Sequence, residues 1–253
     1  MQRRASDWFV RLFFQNKVSK NSVFVTLTYD DDHLPLRVTD GRPYADVSKS
    51  DVRHFLVRLR RYLGPEKSRK LKYFLISEYG PNPTNGFLHR PHYHAIFFNL
   101  DPEDYPTLDF SWKAGFTTFG EINEERMRYV SGYSTEKLFC PPGVAPLFAF
   151  ISNGIGESYI DDFCNFHEDQ LDRFFVPMDG QKLSLPRYYK ERLYTDAQRK
   201  VFSDNCEKRA DRVYDNDLRR FGGDIHALEG RYQDQRANYV RRLRKKHKKK
   251  QNG

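Results

Sequence analysis

The residues best suited to chemistry are the two histidines of RPHYHAIFF, His92 and His94. Strand side chains two apart point to one face, so both imidazoles would project together while Tyr93 faces the other side. With 8 histidines in 253 residues, chance supplies about a quarter of one such pair, so the spacing alone fits packing histidines as well as ligands. A carboxylate adds to the pattern. Glu78 closes YFLISE, where the partner strand of a hairpin would set it beside the imidazoles. Two imidazoles and one carboxylate hold a divalent ion and leave positions for water or a phosphate oxygen, so the ion can act as a Lewis acid on a phosphodiester. The plainer role for Glu78 is a strand-end carboxylate paired with Arg90.

A second group lies in RMRYVSGYSTEK, where Tyr129, Tyr133 and Lys137 recur every four residues. On a helix they share one stripe. Two phenols and an ammonium suit phosphoryl chemistry: a phenol has a pKa near 10, so its phosphate ester keeps the bond reactive toward a sugar 3′-OH. Amphipathic tyrosines packing on a sheet would read the same way.

These groups need elements to position them. SVFVTLTY, residues 22–29, is β-branched and aromatic and ends at Asp30-Asp31-Asp32, which predicts a strand and then a loop. Ser50 to Leu63 carries Val52, Phe55, Leu56, Leu59 and Leu63 at helical spacing, with Gly64-Pro65 as a stop. Its other face holds Arg53, Arg58, Arg60 and Arg61, which either are solvated or meet phosphates. Leu71 to Glu78 and His92 to Phe98 read as an antiparallel hairpin with a long Pro-, Asn- and Gly-rich connection. FSWKAGFTTFGEI reads as a further strand region, and Glu121 to Lys137 as a helix weakened by Gly132 by about 1 kcal/mol. Helices are expected from Thr195 to Arg220 and from Ala227 onward, with no internal repeat.

Composition bounds the rest. The chain is 38% hydrophobic and 30% charged, with mean hydropathy -0.81. No stretch approaches the roughly 20 apolar residues of a membrane span, and the apolar WFVRLFF is interrupted by Arg11. The 43 Lys and Arg outnumber 34 Asp and Glu, yet RRLRKKHKKKQNG at the C-terminus holds eight of the basic residues and no acid. The body is thus nearly neutral. The reading is one domain over 1–240, with a C-terminal helical extension, and a basic tail over 241–253 that stays disordered until it meets a polyanion. Candidate phosphate contacts are the four arginines of the basic helix, Arg90, and Arg241, Arg242 and Lys245 of the tail. Cys140, Cys164 and Cys206 make neither an even set nor a C-x-x-C pair, which fits a reducing cytoplasm.

FVTLTYDDDHLP, SEYG, RPHYHAIFF and YVSGYSTEK, in this order and at these separations, strongly resemble the replication initiation proteins of gokushovirus-type microviruses, in the HUH endonuclease superfamily. The resemblance covers most of residues 5–190. It implies an α+β fold, a central antiparallel β-sheet with helices packed on it, as in the HUH or RRM-like palm. It further implies that FVTLTYDD lies beneath the site, that Glu78, His92 and His94 bind Mn2+ or Mg2+, and that Tyr129 and Tyr133 are paired nucleophiles with Lys137 on a phosphate. Relatives often carry a second basic residue after the lysine, where Leu138 stands here.

The activity so implied is site-specific nicking and rejoining of single-stranded DNA through a 5′-phosphotyrosine, starting rolling-circle replication of a viral genome. Expected partners are origin DNA and, because the sequence has no G-x-x-x-x-G-K-[ST] loop, a host helicase along with the host polymerase. No membrane is expected, the host cytoplasm is the compartment, and the protein is taken to act as a monomer. Three alternatives stay open: a non-catalytic single-stranded nucleic-acid-binding module, a transposase or plasmid replication protein of the same superfamily, and a non-haem iron oxygenase, which also uses two His and one carboxylate.

Overall fold

The computed structural model describes residues 2–80, 90–133, 140, 143–170, 173–178 and 180–251; the side chains of 2, 3, 133, 239, 240 and 242–251 lie outside the description. The chain divides into two compact units, Met1–Leu193 and Tyr194–Gly253, where the sequence reading has a single domain to 240.

The first unit runs α1 (Gln2–Val18), β1 (Ser22–Tyr29), β2 (Leu36–Thr39), β3 (Arg42–Ala45), α2 (Lys49–Lys70), β4 (Lys72–Tyr79), β5 (Pro91–Phe98), α3 (Tyr105–Ser111), β6 (Gly115–Gly120), α4 (Glu124–Tyr133), β7 (Ala149–Ile151), α5 (Ser158–Glu168), β8 (Phe175–Met178), β9 (Gln181–Ser184) and α6 (Arg187–Leu193). Five strands form one sheet in the order β6-β1-β5-β4-β7, antiparallel at every junction. The fold is therefore α+β with a central antiparallel sheet, as the motif resemblance implies. β4 and β5 pair as the expected hairpin, with Glu78 opposite His92 and Ile76 opposite His94.

One face of the sheet is closed. Val25 and Leu27 of β1, Leu75 of β4 and Tyr93, Ala95 and Phe97 of β5 pack against Val52, Phe55 and Leu59 of α2, Leu108 of α3 and Trp112. Each such side chain contributes about 1.5–3 kcal/mol by leaving water. α2 starts where Ser48 accepts the Asp51 amide. It breaks at Gly64, whose φ of 75° only glycine adopts freely, and resumes to Lys70 after Pro65. The predicted stop is thus a break with a short continuation.

α1 and α4 pack against each other. Trp8 of α1 lies edge-on to Phe74, on the side of β4 that carries Ile76 and Glu78. The sequence reading left α1 unassigned because Arg11 interrupts its apolar run. Arg11 is buried: its Nε donates to the Ile155 carbonyl at 3.0 Å, and its guanidinium lies over the rings of Trp8 and Tyr188. Burial lowers its pKa.

Three further differences have local causes. Phe110 and Ser111, expected in a strand, end α3, because the Asp101 to Thr107 stretch nucleates a helix behind two prolines near its N-terminus; the strand is only Gly115–Gly120. The helix expected from Glu121 is seen from Glu124, after Asn123 caps it by accepting the Arg126 amide. The hairpins β2-β3 and β8-β9 were too short to read from alternation.

The second unit contains α7 (Asp196–Arg220), opened by a Thr195/Gln198 capping box, and α8 (Ile225–Gln251), joined through Gly222 and Gly223 at φ of 63° and 85°. The backbone of α8 runs as helix through the basic segment from Arg241, where a disordered arm was expected; Lys and Arg are good helix formers. Among the described residues, no helix is long and apolar enough to cross a membrane.

Candidate metal and phosphoryl-transfer site

Strand alternation puts His92 and His94 on the face opposite Tyr93. There they meet Glu78: His92 Nε2 is 3.5 Å and His94 Nε2 3.2 Å from the same carboxylate oxygen, Oε2. The two imidazole rings are 4.8 Å apart and nearly perpendicular, so their Nε2 atoms converge. Ligand atoms of the three residues lie within 4.8 Å of one another. Glu78 does not pair with Arg90. Arg90 instead binds Asp31 at 2.5 Å and the Tyr29 carbonyl at 2.9 Å, which ties the DDD loop to the start of β5.

Tyr129 reaches this cluster from α4. Its hydroxyl donates to Glu78 Oε2 at 2.7 Å, and its ring lies edge-on to His94 at 5.3 Å. Met127 and Val130 bury the inner side of α4, which leaves Tyr129 on the rim, 39% exposed. The side chain of Tyr133 and all of Lys137 lie outside the described residues.

The sequence reading missed the residues that hold the histidines in place. Thr26 Oγ1 lies 3.0 Å from His94 Nδ1, and Phe24 stacks on the same imidazole at 5.4 Å. A hydroxyl fixing Nδ1 turns Nε2 toward the site, the usual work of an outer partner of a histidine ligand. The cue lay in β1: Phe24, Thr26 and Thr28 alternate with Val23, Val25 and Leu27, so one side of a strand beside the His pair is polar. Burial, aided by the charge of His92, lowers the pKa of His94 against the opposing pull of Glu78. It thus favours the neutral, ligand form.

Two imidazole nitrogens and a carboxylate oxygen converging on one point are the donor set of a divalent metal. The acid nearest both Nε2 atoms is Glu78, itself a member of the set, so the residues present fit the ion.

The candidate phosphate contacts do not gather here. α2 packs on the Tyr93 face, so Arg53, Arg58, Arg60 and Arg61 lie across the sheet from the imidazoles. Arg58 donates to the Ser111 carbonyl at 3.0 Å, Arg53 sits over Phe150, Arg60 over Tyr73 and Arg61 over Tyr62. Arg241 is exposed in the second unit, and the side chains of Arg242 and Lys245 are outside the description.

Residues 22–138 match the family model of the ORF2-type replication-associated proteins. The chain is 26% identical over 230 residues to replication-associated protein ORF2 of Spiroplasma virus 4, covering 83% of this chain and 69% of that protein. It is 27% identical over 203 residues to replication-associated protein VP4 of Bdellovibrio phage phiMH2K, with 72% and 61% covered. Replication-associated protein ORF4 of Chlamydia phage 1 is 24% identical over 246 residues, with 87% and 56% covered. The N-terminal nuclease domain of minute virus of mice non-structural protein-1 superposes with a TM-score of 0.20 at 7% identity over 63% of this chain and 83% of that one, too little to bear on the fold. Residues 22–138, which build the sheet and present the cluster, thus carry the pattern of the ORF2-type replication-associated family, and the chain is a viral replication-associated protein of the microvirus type.

Proposed function

We propose that this protein is a metal-dependent, site-specific endonuclease and strand transferase on single-stranded DNA, starting rolling-circle replication through a 5′-phosphotyrosine intermediate. One observation carries the reading: the Tyr129 hydroxyl donates at 2.7 Å to the Glu78 oxygen that both imidazoles approach.

Glu78, His92 and His94 would hold the ion, and these donors suit Mn2+ or Mg2+, which supplies Lewis-acid polarisation of the scissile phosphate when bound. Tyr129 supplies the attacking oxygen, and Glu78 is placed to accept its proton. As the Tyr129 oxygen bonds to phosphorus, the bond from phosphorus to the 3′ oxygen breaks and that oxygen takes a proton from water. The aryl ester conserves the phosphodiester, so a later 3′-OH can displace Tyr129 and close the circle without another energy source. Tyr133, one turn on in α4, is the proposed second nucleophile, and Lys137 a phosphate contact. Origin DNA is the proposed substrate, host polymerase and helicase the partners, and the host cytoplasm the compartment.

The test is a gel. Incubated with labelled circular single-stranded DNA and manganese, the protein should yield a protease-sensitive, DNA-linked species that chelator and Tyr129→Phe both abolish. A full yield of linked DNA from Tyr129→Phe, or DNA binding with no linked species under any metal, would overturn the reading in favour of another nucleophile or of a binding module.

A further inference from the structure

The face of the sheet that carries the imidazoles continues past them. Register places Glu78 of β4, His92 of β5, Thr28 of β1 and Phe116 of β6 in one row across the sheet. The next row is Ile76, His94, Thr26 and Thr118, and the one after it Phe74, Ile96, Phe24 and Gly120. Alternation puts these β6 residues on the site's face: Phe119 stacks on Tyr105 of α3 and Thr117 donates to Asp109, both on the closed side. Phe116 is 67% exposed, and Thr118 beside it is exposed as well. A large aromatic standing in water on an edge strand gains nothing from the core, and it lies two strands, about 10 Å, from His92.

The far end of the strip is basic. Gly120 has no side chain, and a Cβ there would run into Arg126 Nη1, so the glycine makes room for this guanidinium. Arg126 lies over the Phe24 ring at 5.1 Å, and Phe24 in turn stacks on His94. One Nη1 bond goes to the Glu121 carbonyl; a guanidinium carries five N–H donors, which suits a phosphate. Between Phe116 and Arg126 the surface is made of Thr26, Thr28 and Thr118.

We infer that this strip is a single-stranded DNA subsite, in which Phe116 stacks a base flanking the scissile phosphate and Arg126 binds a backbone phosphate. An aromatic plane beside a cation is how single strands are held without sequence readout. The subsite rests on the proposed DNA chemistry of the neighbouring cluster, and it explains how a strand is laid across the imidazoles although the arginines of α2 face away.

The experiment uses full-length protein carrying Tyr129→Phe, in chelator, with a fluorescein-labelled single-stranded oligonucleotide, so that binding is read without cleavage. Phe116→Ala should weaken binding about tenfold, within the range of one lost base stack, and Phe116→Trp should keep it. Phe110→Ala, an exposed aromatic of α3 on the other side of the sheet, should leave it unchanged. Arg126→Ala should weaken binding and reduce the salt slope by about 1. An oligonucleotide with 2-aminopurine should be quenched on binding by the parent and the Trp variant but not by the Ala variant. Parent-like affinity of Phe116→Ala, or an equal loss from Phe110→Ala, would overturn the subsite. Its failure and that of the nickase separate cleanly: stacking at Phe116 without any linked DNA leaves the subsite and removes the nuclease, and linked DNA with an indifferent Phe116 does the reverse.

Discussion

The two faces of the central sheet are made by the same strands and do opposite work. On the closed face Tyr93, fully buried, is locked by polar bonds: its hydroxyl accepts the Ser48 amide at 2.8 Å and pairs at 2.8 Å with Tyr29, which donates to Asp51 at 2.9 Å. Burial pushes the Tyr93 phenol up to about 12. On the open face Tyr129 also donates to a carboxylate, but from a rim position beside two imidazoles. A tyrosine held in the core by bonds to its own backbone and a second phenol is structural; one whose hydroxyl meets the acid of a convergent donor set at the surface is placed for chemistry. The hydroxyl is the same, and its surroundings decide its use.

Breaking each face should give different losses. The largest is on the open side: Tyr129→Phe should remove the covalent DNA species altogether on a denaturing gel, while unfolding stability moves by no more than about 1 kcal/mol, since the ring stays and the hydroxyl is at the surface. On the closed side, Phe97→Ala should cost about 3–5 kcal/mol, read as a lower urea midpoint, because Phe97 is fully buried against Phe55. Tyr93→Phe should cost about 1–3 kcal/mol by leaving the Ser48 amide without its acceptor. It should leave Mn2+ affinity, measured by calorimetry, as in the parent.

A finer test uses acid. Burial works to raise the pKa of Asp46, yet bonds from Tyr79, the Ala145 amide and Arg37 outweigh it and hold the carboxyl below its usual range. A depressed carboxylate contributes stability that is complete above its unfolded pKa near 4 and is lost as pH falls through the folded value. Urea midpoints taken from pH 5 downward should therefore drop more steeply for the parent than for Asp46→Asn. Equal slopes would mean that this side of the sheet owes nothing to Asp46. The smallest effect returns to the open side: an added Cβ at Gly132 meets nothing within 4 Å, so Gly132→Ala should raise thermal stability by about 0.5–1 kcal/mol.

Much of this arrangement was legible in the chain. SVFVTLTY, the hairpin strands and the Val52 to Leu63 stripe are strongly patterned, and β1, β4, β5 and α2 follow them. The pairing of Glu78 with the histidines was legible too, because a hairpin fixes which residues lie opposite. What escaped was contact made at a distance. Arg11 breaks an apolar run yet is buried, since the Ile155 carbonyl and two aromatic rings, one of them far along the chain, take up its charge and its N–H. Thr26 reads as an ordinary strand threonine until β1 is laid against β5 and its hydroxyl meets His94. The basic stripe of α2 looked ready for DNA, but its apolar side turned it to the face away from the imidazoles.

The sequence by itself determined what is periodic or adjacent: the strands, their hairpin, the face shared by His92 and His94, and the spacing of Tyr129 along a helix. These follow from backbone geometry within a few residues. Only the tertiary structure decided which helix covers which side of the sheet. That choice rests on burying the apolar stripes of α1, α2 and α4 together, a condition on the whole unit that no single segment can express. It set Tyr129 at Glu78 and sent the α2 arginines to the far side.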